Sequence, residues 1–357
     1  MTTTKQKKNS KIRHLEYYDL QNTLDTLYAD SGRGKIFNNL MPLIESEENI
    51  RLAYRNIKRN SGSNTSGIDR LTIKDIEKIP ETKFVEIVRK KLQWYKPKVV
   101  RRVEIPKPNG KLRPLGIPAI WDRIVQQCIL QILDPICEAK FSDRSNGFRP
   151  NRSAEHAIAQ AYALMQKSHL HFVVDIDIKG FFDNVNHSKL IKQMWNIGIQ
   201  DKKLLCVIKE MLKAPIVLPN GDTIYPQKGT PQGGILSPLL SNIVLNELDW
   251  WIVSQWEKQP AHNVRDHITK TGAIHRGRAY DAFRKSGLKE MHMVRYADDF
   301  IIGVRGTKED CAQIKEALKA FIGNALKMEL SDEKTLISCN EGVASGAIEA
   351  GNQRRKV

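Results

Sequence analysis

The sequence predicts an α+β fold in which helices back an antiparallel β-sheet. HFVVDIDIKGFFDNVNH, which begins at His171, alternates apolar and acidic residues, as a strand with one charged face does. MVRYADDFIIGVRG, from Met293 to Gly306, has a strand-turn-strand pattern. Asn-Gly pairs at 109–110 and 220–221 lie between extended stretches, which is typical of β-hairpins. Other segments space their apolar residues at helical intervals and supply the helices.

The amino-terminal part of the chain predicts a basic arm, a helical region and a basic hairpin. The first dozen residues indicate a flexible basic arm, and helical spacing begins near Leu40 and continues to the turn-rich stretch 61–69. The hairpin at 99–118 is rich in Val, Ile, Arg and Lys. The next segment, 121–140, is expected to be helical, with Pro135 kinking or dividing it.

The remaining elements follow the charged strand. A helix is expected to start near Asn186 and His187, ahead of the second hairpin. TPQGGILSPLLSNIVLNELDWWI, from Thr230, opens with glycines and becomes a helix. The stretch 255–290 is basic and polar, as in an inserted element, and a last helix is predicted from about Lys308 to Leu326.

The charge of the chain indicates a polyanionic partner. Its 357 residues include 57 Lys and Arg against 40 Asp and Glu, a formal net charge of +17. Such an excess repels itself unless something offsets it, and nucleic acid is the leading candidate because neutralised phosphates release counterions. The alternative is a merely soluble basic protein.

Cysteine usage and hydropathy predict an intracellular, cytoplasmic protein. The five cysteines are scattered and never spaced as C-x-x-C, which indicates a reducing compartment, argues against structural zinc and predicts small buried residues. No apolar run reaches the length of a membrane span, so no membrane partner is expected.

Three aspartates stand between apolar residues and point to a metal site. Asp177 lies on the charged strand, and Asp298 and Asp299 lie in the turn of the strand-turn-strand pattern. Three carboxylates in one place repel one another, and divalent cations resolve this repulsion. Two Mg²⁺ ions about 4 Å apart suit an in-line phosphoryl displacement. The alternative is that the Asp-Asp pair forms an ordinary turn and Asp177 acts as a cap.

Six blocks in order carry a resemblance to a known family. They are GID at 67–69, VEIPKPNGKLRPLGIP at 103–118, GFRPNRSAEHAI at 147–158, DIDIKGFFDNVNH at 175–187, GTPQGGILSPLLSNI at 229–243 and YADD at 296–299. Together they resemble a group II intron reverse transcriptase, the intron-encoded maturase. RPLGIP and FRPNRSAEHAI favour this family over a retron-type or diversity-generating reverse transcriptase.

The resemblance implies a right-hand polymerase with fingers and palm. The expected boundaries are a basic extension at 1–40, fingers at 41–165, a palm at 166–337 and a tail at 338–357; 187–230 partly returns to the fingers, and 255–290 is inserted. Nothing after Lys334 matches a primer grip, a thumb or further domains, so these are expected to be missing.

The implied function is RNA-directed DNA synthesis, in which two Mg²⁺ ions assist transfer of a deoxynucleotide to a primer 3′-OH. The implied partners are group II intron RNA, an RNA template, a DNA primer and dNTP. The alternative is a non-catalytic fragment that binds intron RNA for splicing. Whether the chain forms a homo-oligomer stays open.

Carried onto this sequence, the resemblance makes Asp177 and Asp298 the principal Mg²⁺ ligands. Asp299 is then the third carboxylate and the Ile178 carbonyl a backbone ligand. Asp175 shares the strand face of Asp177 because side chains alternate along a strand, and it is expected to support or cap rather than ligate.

The resemblance also assigns nucleotide contacts. Lys107 and Arg113 of the fingers hairpin match positions that hold triphosphate oxygens, with a solvated hairpin charge as the alternative for either. Gln232 matches a nucleotide-contacting glutamine, and Gly233 allows a close backbone approach to a ligand, as does its neighbour Gly234. Lys334 resembles the lysine that protonates departing pyrophosphate.

A steric gate and nucleic-acid contacts complete the assignments. Phe182 matches an aromatic gate that excludes a ribose 2′-OH, although Phe181 is adjacent and both are also typical core residues. The nucleic-acid contacts are predicted at four basic positions: Arg102, Lys111, Arg149 and Arg152. Of these, Arg149 could equally be a structural ion-pair partner.

Overall fold

The computed structural model describes most of the chain, in two compact units. The described residues are 18–106, 110, 112–167, 170–258, 267–268, 270–272, 274–275, 285, 287 and 289–339. The first unit comprises Met1–Lys140, Met194–Gln227 and Pro231–Ser237. The second comprises Phe141–Gln193, Lys228–Thr230 and Pro238–Val357.

Helices form the core of the first unit. They are α1 (Gln21–Gly32), α2 (Met41–Ile44), α3 (Glu47–Arg59), α4 (Ile73–Ile76), α5 (Glu81–Gln93) and α6 (Ile120–Glu138). Helix α6 is central, because α1, α2, α3 and α5 all pack against it. Its apolar residues recur at helical spacing, and Ile124, Cys128 and Ile132 are fully buried. Helices α2 and α3 confirm the helical region predicted from Leu40.

A four-stranded sheet in the first unit combines both predicted hairpins. Strands β1 (Val100–Pro106) and β2 (Leu112–Ile117) pair antiparallel, and the later strands β4 (Ile216–Val217) and β5 (Thr223–Ile224) do the same. The strand order is β2-β1-β4-β5, because β1 pairs in parallel with β4.

The second unit is built on an antiparallel sheet. Its strands are β3 (Phe172–Ile176), β8 (Glu290–Tyr296), β9 (Asp299–Arg305) and β10 (Leu336–Cys339), in the order β10-β3-β9-β8. Every pairing in it is antiparallel, and a short pair, β6 (His267–Ile268) and β7 (Ile274–His275), lies within the stretch 255–290.

Helices accompany this sheet along the chain. They are α7 (Ala154–Lys167), α8 (Phe181–Asn184), α9 (His187–Asn196), α10 (Lys202–Leu212), α11 (Ser237–Gln255) and α12 (Lys308–Phe321). Of these, α10, the end of α9 from Met194 and the first residue of α11 belong to the first unit. Helix α7 packs on β8 and α12 packs on β3. The predicted α+β class with an antiparallel sheet backed by helices is confirmed.

Several local expectations were wrong. Pro135 does not divide the predicted helix, because α6 continues through it to Glu138, and a kink at Pro135 stays a prediction. The tail predicted from 338 begins too early, since Ser338 and Cys339 extend β10 and pair with β3. Cys206 and Cys339 are exposed rather than buried.

No helix in the described part of the chain is long and apolar enough to cross a membrane.

Candidate catalytic carboxylates

The sheet register brings the predicted aspartates into one row. Ile176 is paired with Phe300, so extending the β3–β9 ladder by one residue sets Asp177 opposite Asp299, the first residue of β9. Asp175, two residues before Asp177, lies on the same face and is paired with Ile301. Strand pairing thus brings together aspartates that are more than a hundred residues apart in the sequence.

The Asp-Asp pair lies where β8 turns into β9. Tyr296 and Asp299 are paired across the hairpin, so Ala297 and Asp298 form a two-residue turn. Ala297 has a φ of +59°, in the left-handed region that such tight hairpin turns require. The turn therefore presents Asp298 beside Asp299 at the end of the sheet, as the strand-turn-strand pattern predicts.

The carboxylates repel one another. Partial burial raises the pKa of Asp299, and the negative charges of three other aspartates raise it further: Asp298, Asp177 and Asp175. The ammonium group of Lys334 acts in the opposite direction on the same carboxyl. A cluster whose members penalise each other's ionisation is suited to a cation.

Lys334 lies inside this cluster. Its Nζ is 3.2 Å from both Oδ1 and Oδ2 of Asp177. Lys334 lies in the turn before β10, whose ladder with β3 ends at the Leu336–Asp175 pair. The contact with Asp177 gives the assignment of this lone lysine to the site a geometric basis.

The donor set fits a hard divalent cation, for which carboxylate oxygens are the preferred ligands. Among the described residues, no three His, Cys, Asp or Glu side chains are already disposed around one metal position. The Lys334 ammonium contacts both oxygens of Asp177, so a cation bound there would compete with it for that carboxylate.

The Ile178 carbonyl is not used in the backbone pairing between Ile178 and Leu330. Ile178 bridges Leu330, and the flanking bonds come from Ser331 N to Asp177 O, at 2.8 Å, and from Lys179 N to Glu329 O, at 3.0 Å. The pairing with Leu330 therefore does not use the Ile178 carbonyl, which is the group predicted to bind a metal.

A family model decides the affiliation. The model described as "Reverse transcriptase (RNA-dependent DNA polymerase)" matches residues 105–355. The chain belongs to the reverse transcriptase family. The right-hand polymerase fold expected for it is thereby confirmed, and polymerases of this family generally use divalent metal ions.

Similar proteins confirm the resemblance to the group II intron branch. The group II intron-encoded protein LtrA of Lactococcus lactis subsp. cremoris is 37% identical over 335 residues, which are 85% of this chain and 55% of LtrA. The putative COX1/OXI3 intron 1 protein of Saccharomyces cerevisiae is 32% identical over 85% of this chain and 38% of its own length. Protein YkfC of Escherichia coli (strain K12) is 35% identical over 89% of this chain and 84% of its own length. This reverse transcriptase chain thus spans about half of LtrA, and less of the yeast protein.

In the first unit, two predicted nucleotide contacts meet. Arg113 Nε donates to Gln232 Oε1 at 3.3 Å, and Gly116 N donates to Gln232 O at 2.5 Å. The TPQGG segment is thereby attached to strand β2. Lys107 and Lys111 of the same hairpin lie outside the described residues.

Gly233 makes its close backbone approach to this chain's own strand. Its φ is +104°, and a Cβ there would come within 2.5 Å of the Gly116 carbonyl oxygen. Packing against β2 therefore explains why position 233 is a glycine, and a contact with a ligand stays a prediction. Gly234 is also restricted, because a Cβ would lie 2.7 Å from Ser237 Oγ.

Both phenylalanines of KGFF are buried in the second unit. Phe181 is 2% exposed and Phe182 is 8% exposed, and their rings meet edge to face with centroids 5.3 Å apart. The Phe182 carbonyl accepts a hydrogen bond from Thr230 N at 2.7 Å. These contacts fit the alternative in which both phenylalanines are core residues. The assignment of Phe182 as the steric gate stays a prediction.

The basic residues predicted to touch nucleic acid have different surroundings. Arg149 is buried, and its Nη1 donates to the carbonyls of Ser142 and Ser145, which makes it structural. Arg152 donates to the Asp143 backbone and carboxylate, at 2.9 Å each. Arg102 is half-buried in β1, with an Nε that has no hydrogen-bond partner among the described residues.

Sequence reasoning missed Arg295, which lies in the VRYADD motif itself. Its side chain is fully buried and forms a bidentate ion pair with Asp249, which is also fully buried. An arginine between apolar strand residues is the signal that was available, because an arginine is almost never buried without a partner.

Proposed function

We propose that the chain is the polymerase portion of an RNA-directed DNA polymerase encoded by a mobile group II intron, and that it also binds intron RNA. The convergence of the aspartates and Lys334 at one edge of the β3–β9 sheet carries this proposal. In the same proposal the fingers lie mainly in the first unit and the palm mainly in the second, although 141–165, predicted as fingers, belongs to the second unit.

The aspartates have the binding role. Asp177 and Asp298 are the principal metal ligands, Asp299 is the third carboxylate, and the Ile178 carbonyl completes the protein's contribution. Two Mg²⁺ ions, when bound, would supply the positive charge that favours primer 3′-oxygen attack on a phosphate and departure of pyrophosphate. Asp175 lies farther along β3 and supports the charge of the cluster rather than binding directly.

Lys334 has the proton role. Its ammonium is paired with Asp177, and release from that carboxylate frees an N–H to donate a proton to the pyrophosphate oxygen that leaves. The pairing keeps the ammonium beside the carboxylates that would hold the metal ions.

Nucleotide and nucleic-acid contacts complete the proposal. Arg113 and Lys107 bind triphosphate oxygens, and Gln232, held by its backbone bond to Gly116, contacts the nucleotide beside Gly233. Phe182 selects against a ribose 2′-OH by occupying its space. Phosphates of template and primer are assigned to Arg102, Lys111 and Arg152, and less readily to Arg149 because its guanidinium is engaged by carbonyls.

The test is extension of a DNA primer on an RNA template with deoxynucleotides and Mg²⁺. The chain should make DNA, and the double variant Asp298→Asn, Asp299→Asn should reduce the rate about a thousandfold or more, because it removes two anionic ligands from the cluster. Chelation of Mg²⁺ should abolish synthesis by the unmodified chain.

A matched control removes two carboxylates elsewhere in the same unit. Glu309 and Glu316 are exposed on α12, so Glu309→Gln, Glu316→Gln should extend the primer as the unmodified chain does. Equal activity of the Asp298, Asp299 double variant would contradict the catalytic assignment.

A second candidate function is splicing assistance without catalysis. It is favoured by the +17 charge and by similar proteins whose printed names include "Nuclear intron maturase 2, mitochondrial" of Arabidopsis thaliana. If the unmodified chain makes no DNA yet binds intron RNA tightly, this function stands alone. If Asp177→Ala ends DNA synthesis and leaves RNA binding unchanged, both functions stand and are separable.

A further inference from the structure

A buried polar network lies behind the Asp298–Asp299 turn. Arg295, Asp249 and Asn242 each have no more than a trace of solvent exposure, although two of them carry charge. Burying charge costs several kcal/mol per ion before pairing, and such pairs are often no better for stability than apolar residues of the same volume. The network therefore calls for an explanation other than stability.

Every nitrogen of the Arg295 guanidinium donates at least one hydrogen bond. Nε and Nη2 donate to the two oxygens of Asp249 at 2.7 and 2.6 Å. Nη1 donates to Asn242 Oδ1 at 3.0 Å and to the carbonyl oxygen of Ala297 at 2.6 Å. Only a planar fork with several donors can hold these partners together.

The contact with Ala297 reaches the turn directly. Ala297 precedes Asp298 and has the left-handed backbone that the turn needs, a conformation that costs an alanine energy unless its surroundings hold it. Its carbonyl is fixed by Arg295, and Arg295 is fixed to α11 through Asp249 and Asn242.

The opposite side of the turn is also held. A Cβ at Gly147 would overlap the backbone nitrogen of Ala297, so the Gly147 backbone lies directly against the turn. Asn242 Nδ2 donates to the Gly147 carbonyl at 2.9 Å, which links this contact to the same network. The strand residue itself is anchored, because Arg295 N donates to Arg144 O and Arg295 O accepts from Asn146 N, at 2.9 Å each.

We infer that Arg295, with Asp249 and Asn242, is a positioning residue that holds the Ala297–Asp298 turn in the conformation in which its carboxylates bind a divalent cation. This inference rests on the proposed metal-binding role of Asp298 and Asp299. The network touches neither carboxylate, so its effect passes through the backbone of the turn.

The experiment compares Arg295→Lys with the unmodified chain. Lysine keeps the charge beside Asp249 but cannot hold Asp249, Asn242 and the Ala297 carbonyl at once. Two quantities are measured on folded protein: the dissociation constant for Mn²⁺ by electron paramagnetic resonance, and kcat and KM for dNTP in primer extension. We expect the Mn²⁺ dissociation constant to rise about fivefold or more and kcat to fall about tenfold or more, with KM within about twofold, because a displaced turn misplaces ligands rather than removing them.

Two further variants make the result decisive. Asn242→Ala removes a neutral side chain and leaves the ion pair, so it should shift both quantities in the same direction by about threefold even if Arg295→Lys does not fold. Asp310→Ala removes the capping box at the start of α12 and has no contact with the network or the turn among the described residues, so it should lower thermal stability and leave Mn²⁺ affinity and kcat unchanged.

The outcomes separate this inference from the proposed function. Unchanged Mn²⁺ affinity and kcat in folded Arg295→Lys or Asn242→Ala would overturn the inference. If the unmodified chain makes no DNA but Arg295→Lys weakens Mn²⁺ binding, the proposed polymerase activity fails and the positioning role stands. Mn²⁺ binding that is no tighter than in the Asp298→Asn, Asp299→Asn variant would overturn both.

Discussion

At the scale of one residue, position 233 has two constraints: a positive φ and no space for a Cβ. Its φ of +104° lies in a region that side chains rarely adopt, and the space where a Cβ would stand is filled by the Gly116 carbonyl oxygen and the Leu115 side chain. The carbonyl belongs to paired backbone and cannot move aside cheaply. Position 233 therefore excludes other residues for structural reasons alone.

The two constraints can be separated by substitution. Gly233→Ala should lower the free energy of unfolding by about 2–4 kcal/mol, because strain and overlap add. Gly221 has a φ of +93° with nothing near its missing Cβ, so Gly221→Ala measures strain alone and should cost about 1 kcal/mol. Urea unfolding of both variants checks this, and equal losses would contradict the overlap at Gly233.

Burial of the aspartate cluster is also decided residue by residue. Asp177 is 28% exposed on its side chain and is paired with Lys334, whereas Asp299 carries the repulsion of three neighbours. Four carboxylates and one ammonium leave this site with an excess of negative charge. Because this excess involves groups from β3, β9 and the segment before β10, no single stretch of sequence displays it.

At the scale of elements, Glu257 links the end of α11 to strand β8 and to the turn that contains Arg144. It lies just beyond the end of α11, and its carboxylate accepts from Arg144 Nε and Nη2 at 3.1 Å each. It also lies 3.0 Å from His292 Nδ1 on β8. Burial by itself raises the pKa of Glu257, but the hydrogen bonds from His292 and Arg144 outweigh it and hold the pKa below its ordinary value.

The direction of this shift fixes a pH dependence of stability. A carboxyl whose pKa is lower in the folded state stabilises the fold above its unfolded pKa of about 4.3, and this contribution is lost as the pH falls through the folded pKa. Glu257→Gln should therefore unfold more easily than the unmodified chain at pH 7, by about 1–2 kcal/mol, with the difference shrinking below about pH 4.

Denaturant unfolding at a series of pH values measures that difference. Glu309→Gln, on the exposed surface of α12, serves as the control and should stay within about 0.5 kcal/mol of the unmodified chain at neutral pH. A difference for Glu257→Gln that grows as the pH falls would contradict the ion-pair account.

At the scale of the whole molecule, the formal net charge of +17 favours a polyanionic partner, which the proposed function takes to be RNA. Counterions released from each neutralised phosphate make affinity fall linearly in log–log form with salt concentration. Which basic residues contact phosphates depends on the local structure, whereas the salt dependence of RNA affinity reflects the charge of the whole chain.

RNA affinity should therefore fall about a thousandfold or more between 50 and 200 mM salt if six or more phosphates are contacted. Fluorescence anisotropy with a labelled RNA oligonucleotide measures the slope. A peptide nucleic acid of the same sequence has no phosphates and should bind weakly at every salt concentration. An RNA affinity that does not respond to salt would count against an electrostatic interface.

How much the sequence predicts follows from the range of each interaction. The two hairpins, the helices from Leu40 and from Lys308, and the strand-turn-strand around Asp298 were predicted correctly, because their signals lie within neighbouring residues. Ser338 and Cys339 of strand β10 were assigned to the tail, because no family motif was found after Lys334. The strand exists through backbone pairing with β3, which lies far away along the chain.

By itself, the sequence determined the family, the α+β class and the aspartates that belong together, because ordered motifs and local periodicity encode them. Tertiary structure alone decided that Lys334 pairs with Asp177 and that Arg295 holds Ala297 from a buried pair with Asp249. Those partners are 157 and 46 residues apart. A buried charge announces that it needs a partner, but only the packing of strands and helices determines which partner it meets.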